Sequence, residues 1–376
     1  MDTDCNDTGL VWHTPLDPPM RRDPQVERPT LDTVATAAGV SRMTVSNAYN
    51  RPDQLSATTR ARVLAVAAEL GYPGPDPAGR SLRRGRSGAV GVLLAEGLAY
   101  AFTDPGLVSF MRGLASELGL AGQAMLMIPA EADTDGSLVR CAIVDAFIMC
   151  AMDDRDPAVD AVMARRLPVV TAGSPRLAAV PFVGVDNRAA GVAVAQYLLG
   201  LGHERFGIVT RPAREDPDGS WRGGAPRLGI RQRVEGFTNA LREAGIHESA
   251  VSVVTAQENT AEAASDAVGD LLARSSRDSP TAVFAVTDVL ALGVLAAAAA
   301  AGRPVPQSLS VVGFDDIVEA GRSSPALTTV AQSLFDQGRQ AARLALGLMA
   351  GEHVRSPRIR AELVVRDSTG PVSERP

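Results

Sequence analysis

Between residues 89 and 314 one pattern repeats: a short run of Val, Ile and Leu, then an amphipathic stretch, then another run. The runs fall at 89–95, 123–128, 143–149, 168–172 and 180–185, and again at 206–210, 251–255, 282–286 and 310–314. Continuous apolar runs of about five residues, without polar alternation, mark strands buried on both faces, which is the condition of a parallel sheet covered by helices. One sheet holding all these strands would be very wide, so two doubly wound α/β lobes are expected. The most apolar stretch, residues 289–301, is mostly alanine and shorter than the roughly 20 residues a membrane span needs. It reads as a buried helix, and no membrane association is expected.

Composition then removes whole classes of chemistry. All 37 basic residues are arginine, so a Schiff-base lysine, a pyridoxal-phosphate lysine and a P-loop lysine are excluded. The four histidines, His13, His203, His247 and His353, are too dispersed for a His-rich metal motif. Cys5, Cys141 and Cys150 form no C-x-x-C pair, and Cys141 and Cys150 are expected as small buried hydrophobes. Ser174 sits in A-G-S-P-R, which lacks the second glycine of a nucleophile elbow. The expectation is a protein that is not an enzyme, with no metal and no cofactor. No apolar segment follows Arg21-Arg22 in the polar first 28 residues, so a secretory signal is not expected and a cytoplasmic location is.

Charge is unevenly placed. Residues 1–27 carry six acids and two arginines, whereas residues 28–86 carry nine arginines and four acids; the whole chain is at -6, so the remainder is strongly acidic. A small basic module ahead of an acidic body is the footprint of a nucleic-acid binder. Within it, Leu31, Val34, Ala35 and Ala38 recur at helical spacing, and Gly39 closes that helix. Ser41 caps a second helix, with Val45, Ala48 and Tyr49 inward and Arg42, Met43, Thr44, Ser46, Asn47 and Asn50 outward. Two short helices across a Gly turn form a helix-turn-helix. A third helix from Ser56 to about Leu70, with Val63, Leu64, Ala67 and Leu70 apolar, completes a three-helix core.

The ordered string T-L-x-x-V-A-x-x-A-G-V-S-x-x-T-V-S from Thr30, the E-L-G-Y at 69–72, and A-G-R-S-L with a trailing R-x-G-R-S resemble the LacI/GalR family of bacterial transcriptional regulators. The resemblance extends over nearly all of 28–368. It implies that Arg42, Met43 and Asn47 face base edges in the major groove, while Thr30, Ser41, Thr44, Ser46 and Asn50 hold phosphates. Arg42 suits guanine O6 and N7, Asn47 suits adenine or a mixed role, and Met43 offers only apolar contact. It also implies a hinge helix whose Leu82 wedges into the minor groove. Pro75 stands where the family usually has Asn, and Gly79 weakens that helix by roughly 1 kcal/mol relative to Ala.

For the acidic body the resemblance implies a fold like the periplasmic sugar-binding proteins, with an effector cleft between two lobes. Ligands in such sheets lie beyond the carboxyl ends of strands, which selects Asp186, Thr287 and Asp315. By resemblance Asp186, Arg233, at the opening of a helix, and Asp315 contact the effector or bridge the cleft, and Asn259 and Gln332 match further positions. Phe102 and Asp104 are candidates for the opposite wall. Asp288 and Asp316 read as structural. Thr287-Asp288 replaces the usual Asn-Asp, and the segment 211–229, with Trp221 at its middle, is longer than usual.

The expected organisation is a disordered extension over 1–27, a DNA-binding domain over 28–73, a hinge over 74–87, an effector and dimerisation domain over 88–368, and a tail over 369–376. Lobe 1 takes about 88–198 and 328–355, lobe 2 about 199–327 and 356–368. The expected function is a homodimeric, sequence-specific regulator, most often a repressor in this family, on a near-palindromic double-stranded operator, its affinity set by a sugar or nucleoside-like effector that changes the pose of the lobes. The runner-up is a solute-binding protein without DNA function.

Overall fold

The computed structural model describes residues 29–75, 85–130, 133, 135–153, 155–212, 228–273 and 279–372. The chain divides into two units, Met1–Gly85 and Arg86–Pro376. The 1–27 extension, residues 76–84 of the hinge with Leu82 among them, and Trp221 lie outside the described residues.

In the first unit, α1 (Leu31–Ala38), α2 (Arg42–Asn50) and α3 (Ala57–Glu69) form where the sequence places them. Thr30 caps α1 in a capping box with Thr33, and Gly39 ends it at φ 62°, a left-handed conformation that costs glycine little. Ser41 and Ser56 accept the Thr44 and Thr59 amides and so fix the starts of α2 and α3. Val34, Ala35, Ala38, Val45, Ala48, Val63, Ala67 and Tyr72 make the core, with Tyr49 edge-on to Tyr72 at 6.0 Å. Leu70 departs from expectation: it lies past the last turn of α3 and is 41% exposed, and Val66 packs against the core instead.

The second unit holds two parallel sheets. β1 (Ala89–Leu94), β2 (Ala124–Pro129), β3 (Ala146–Cys150), β4 (Val169–Ala172) and β5 (Phe182–Val183) stand in the order β2-β1-β3-β4-β5. β6 (Phe206–Thr210), β7 (Val251–Thr255), β8 (Ala282–Ala285) and β9 (Ser310–Val312) stand in the order β7-β6-β8-β9. The expected strand at 143–149 begins three residues late, with Ile143 exposed ahead of it. A short antiparallel pair, β10 (Thr329–Ala331) with β11 (Glu362–Val364), has runs too brief for a periodicity signal.

The helices are α4 (Tyr100–Thr103), α5 (Pro105–Leu120), α6 (Ser137–Cys141), α7 (Pro157–Ala164), α8 (Asn187–Gly200), α9 (Leu228–Glu243), α10 (Ala261–Ala273), α11 (Asp288–Ala300), α12 (Val318–Arg322) and α13 (Leu334–Met349). The alanine-rich run is α11, buried as expected. No helix among the described residues is long and apolar enough to cross a membrane.

Packing relocates the expected lobe boundaries. Ala190, Val194 and Leu198 of α8 share a core with Phe206, Ile208 and Phe237, so the chain has entered lobe 2 by 187 rather than 199. Val330 of β10 belongs to that same core, while Ala341, Ala342 and Ala345 of α13 pack with Phe110 and Leu114 in lobe 1; the return therefore falls after 331 rather than at 328. Each lobe joins its helices by glycine contact. A Cβ on Gly338 of α13 would lie 2.1 Å from the Phe110 carbonyl of α5, and one on Gly191 of α8 would lie 2.1 Å from the Arg233 carbonyl of α9. The expected tail is tied down as far as Val372, whose amide donates to the Leu201 carbonyl at 3.0 Å, and His203 and Ser310 hold the Gly370 carbonyl. Cys141 is exposed and Cys150 half-buried, contrary to the expected burial, because Cys141 ends the short α6 and Cys150 ends β3 at a cavity wall.

Candidate functional site

Two faces carry the candidate chemistry, one in each unit. On the first, α2 presents Arg42 and Met43 outward, Met43 being 72% exposed. The Ser41 hydroxyl is committed to the N-cap and bonded to the Thr44 hydroxyl at 2.9 Å. Thr30 likewise caps α1, leaving its hydroxyl at the surface. Asn50 donates to the Ser46 carbonyl at 3.0 Å, and Asn47 donates to the Gln54 side chain at 3.3 Å. Arg42 forms an exposed ion pair with Asp32 of α1 at 3.6 Å. Gln54 and Asp32 carry no periodic signal; only the fold brings them beside the outward face of α2.

The second face is a cavity of about 1040 Å³ of empty space, part of it open solvent, between the two lobes. It lies beyond the carboxyl ends of the strands, as the rule for open α/β sheets requires. Leu94, Leu107, Phe110, Ala172, Ile230 and Leu334 give it an apolar wall. Arg233, Asn259, Thr287, Asp315 and Gln332 line it as expected, whereas Phe102 and Asp186 do not. Phe102 is 72% exposed. On α4 it points away from the face shared by Tyr100 and Asp104, which lie one helical turn apart and do line the cavity. Asp186 spends its carboxylate capping α8 through the Ala189 amide at 2.9 Å, and the next residue, Asn187, is the one that lines the cavity.

Arg233 lies in the second turn of α9, not at its opening. Its guanidinium donates to the Asn187 side-chain oxygen at 2.9 Å and to the Val286 carbonyl at 2.6 Å, lies 3.5 Å from Asp315, and stacks 3.5 Å above the Phe314 ring centroid. Asp315 also accepts from the Gln332 amide, which Gln337 braces by donating to the Gln332 carbonyl. Asp315 adopts φ 122°, a conformation unusual for any residue with a side chain. Burial pushes its carboxyl up to about 8; Arg233 opposes that rise, and Asp288 and Asp104 add to it.

The two lobes touch across the cavity. Asn259 donates to Asp104 at 2.7 Å and to the Tyr100 hydroxyl at 3.0 Å, while its own oxygen accepts from Thr287 at 2.7 Å. Arg211, at the end of β6, pairs with Glu96, at the end of β1, at 3.1 Å. Asp104 lines the cavity as expected, and Tyr100, Asn187, Arg211 and Glu96 join the candidate set. Glu96 and Arg211 sit within two residues of strand ends and Asn187 four residues past β5, so the strand-end rule applied to every strand reaches Glu96 and Arg211, while Tyr100, in α4, and Asp104, which caps α5, lie outside it. Asp288 and Asp316 are structural, as expected. Asp288 binds the Ile317 amide and the Thr329 hydroxyl, and Asp316 pairs with Arg366 at 2.6 Å.

Asp315 gives a pH test. Its folded value is raised above the ordinary carboxylate value near 4, so the unfolded chain releases the proton first, and this group's contribution falls as pH rises from about 4 to about 8. Asp315→Asn removes that dependence. The melting temperature of the variant relative to the parent should climb steadily over this window; a constant difference would mean the carboxyl ionises normally.

The chain matches the family model for bacterial regulatory proteins of the lacI family over residues 30–74, and that for a periplasmic binding protein-like domain over 195–369. It is 40% identical to HTH-type transcriptional regulator Rv3575c of Mycobacterium tuberculosis, over 85% of this chain and 90% of that one. Among solved structures, the transcriptional regulator CelR–cellobiose complex superposes with a TM-score of 0.62 at 30% identity, over 91% of this chain and 100% of the other. The lac repressor dimer bound to operator shares the fold at a TM-score of 0.73 and 24% identity, over 92% and 100%. A relative this similar over this length, with the helix-turn-helix and the two-lobed cavity in place, settles the matter: the chain belongs to the lacI family of bacterial regulatory proteins and is a DNA-binding transcriptional regulator.

Proposed function

We propose that this regulator is a repressor acting as a homodimer in the cytoplasm, and that a small polyhydroxylated effector, a sugar or nucleoside-like molecule, sets its operator affinity from the cavity between the lobes. The observation that carries the reading is Asn259, which reaches from lobe 2 to Asp104 and Tyr100 of lobe 1. A ligand hydroxyl placed among these groups competes for the same hydrogen bonds, so occupancy and lobe pose are linked. Asp315, Arg233, Gln332 and Asn187 supply acceptors and donors on the lobe 2 side, and the apolar wall takes a ring face. The solved structure of CelR, 30% identical, is a complex with cellobiose, which agrees with this ligand class.

Genomic footprinting with the purified chain identifies its operators, and the neighbouring genes supply candidate ligands. Those ligands, with a panel of sugars, polyols and nucleosides, are then titrated against the chain by calorimetry. One of them should bind and change operator affinity. Binding only by ligands of another class, with no hydroxylated member active, would refute the effector assignment.

At the DNA face, Arg42, Met43 and Asn47 are proposed to read bases, with Thr30, Ser41, Thr44, Ser46 and Asn50 at phosphates and Leu82 in the minor groove. Arg42→Ala should cost about 1–3 kcal/mol at one or two base pairs and relax preference there. Affinities for a set of single-base operator variants check this; an equal loss on every sequence would make Arg42 a phosphate contact.

A further inference from the structure

The Asp32–Arg42 pair stands on the outward face of the helix-turn-helix. Asp32 lies in the first turn of α1 and Arg42 is the first residue of α2, with 3.6 Å between a carboxylate oxygen and Nη1. Both side chains are about two-thirds exposed, at 66% and 68%. An exposed pair of this kind contributes little to folding, so stability gives little reason for it. Its place gives a better one. A helix N-terminus, with its free amides and positive dipole end, favours an anion and commonly receives a DNA phosphate. Here the first turn of α1 carries its own carboxylate, which holds the Arg42 guanidinium beside it.

We propose that Asp32 is a positioning residue for Arg42: it keeps the guanidinium on a base edge and away from the phosphate backbone, lowering non-specific affinity and raising discrimination between sequences. The inference rests on Arg42 reading a base. The guanidinium fork has two edges. With Nη1 held by Asp32, the Nε–Nη2 edge stays available for the paired acceptors of guanine. If Arg42 turned to a phosphate, it would leave Asp32 uncompensated next to DNA, so the wrong contact carries a like-charge penalty that the right one does not. Among the charged residues of the described first unit, Asp32 is the one that pairs with Arg42.

The test uses the full chain, a duplex selected from a random library by the parent protein, and a scrambled duplex, each titrated over a salt series. Asp32→Asn should tighten binding to the scrambled duplex about three- to tenfold and steepen its salt dependence by about one unit, as one further arginine reaches a phosphate. The ratio of selected to scrambled affinity should fall about tenfold, and Asp32→Glu should restore much of it. In an Arg42→Ala background, Asp32→Asn should leave the ratio unchanged. An unchanged ratio in the Asp32→Asn single variant overturns the proposal, as does an equal fall with and without Arg42, since either makes Asp32 a general phosphate repeller. Arg42→Ala alone separates this from the reading beneath it: a uniform loss on all duplexes removes the base contact itself, whatever Asp32 does.

Discussion

Arg233→Met is expected to remove the effector response altogether and to destabilise the second unit by about 3 kcal/mol. The guanidinium is buried, and its loss strands the Asn187 side-chain oxygen and the Val286 carbonyl, both of which it now satisfies. Breaking a buried charged pair typically costs about 3–5 kcal/mol, mostly through the charge left behind. The lower end applies here. With Arg233 in place burial already holds the Asp315 carboxyl at about 8, so near neutral pH it is largely protonated, and loss of the opposing guanidinium leaves a neutral carboxyl, not a bare carboxylate. Methionine fills the space of the arginine stem without restoring its donors. Urea unfolding measures the stability, and operator titration with and without ligand measures the response. Parent-like stability with a parent-like response would remove Arg233 from the centre of the cavity.

Val45→Asp is expected to abolish binding to selected and scrambled duplexes alike, by more than a thousandfold, while leaving ligand binding intact. Val45 is fully buried among Val34, Ala35, Val63 and Ala67. A core of this size, in a domain below about 70–80 residues, rarely supplies more than about 3–5 kcal/mol. Burying an unpaired carboxylate costs at least that much, so the three helices unfold rather than distort. The second unit has its own cores and should melt as before. Anisotropy titrations with labelled duplexes check the loss, and calorimetry with the ligand checks what is retained; a loss below tenfold would show that the helices tolerate the charge.

What could be read from the sequence was local. Ser41 and Ser56 declare the helix starts because a cap acts within three residues, and Gly39 declares a stop for the same reason. The strand runs are legible because parallel strands in a covered sheet are apolar throughout, and their ends then place Thr287 and Asp315; Asn259 came from the family resemblance. The misses have geometric causes. Asp186 and Asn187 are adjacent, and which of the two faces the cavity depends on which one caps α8. Phe102 follows the first strand, as Asp104 does, but on α4 it lies across the helix from Tyr100 and Asp104. Contacts such as Asn259 with Asp104, separated by 155 residues, arise only when the lobes meet. The reach of α8 into lobe 2 was hidden because its apolar residues suit either core.

The account joins two claims, that α2 reads DNA and that the cavity between the lobes governs how tightly it does so. The most direct measurement is the affinity of the full chain for its footprinted operator, at fixed salt, with and without a saturating ligand already shown by calorimetry to bind. The account predicts a change of at least tenfold in the parent, equal to about 1.4 kcal/mol of coupling, and none in Arg233→Met. Equal operator affinity with the cavity empty and filled would contradict it.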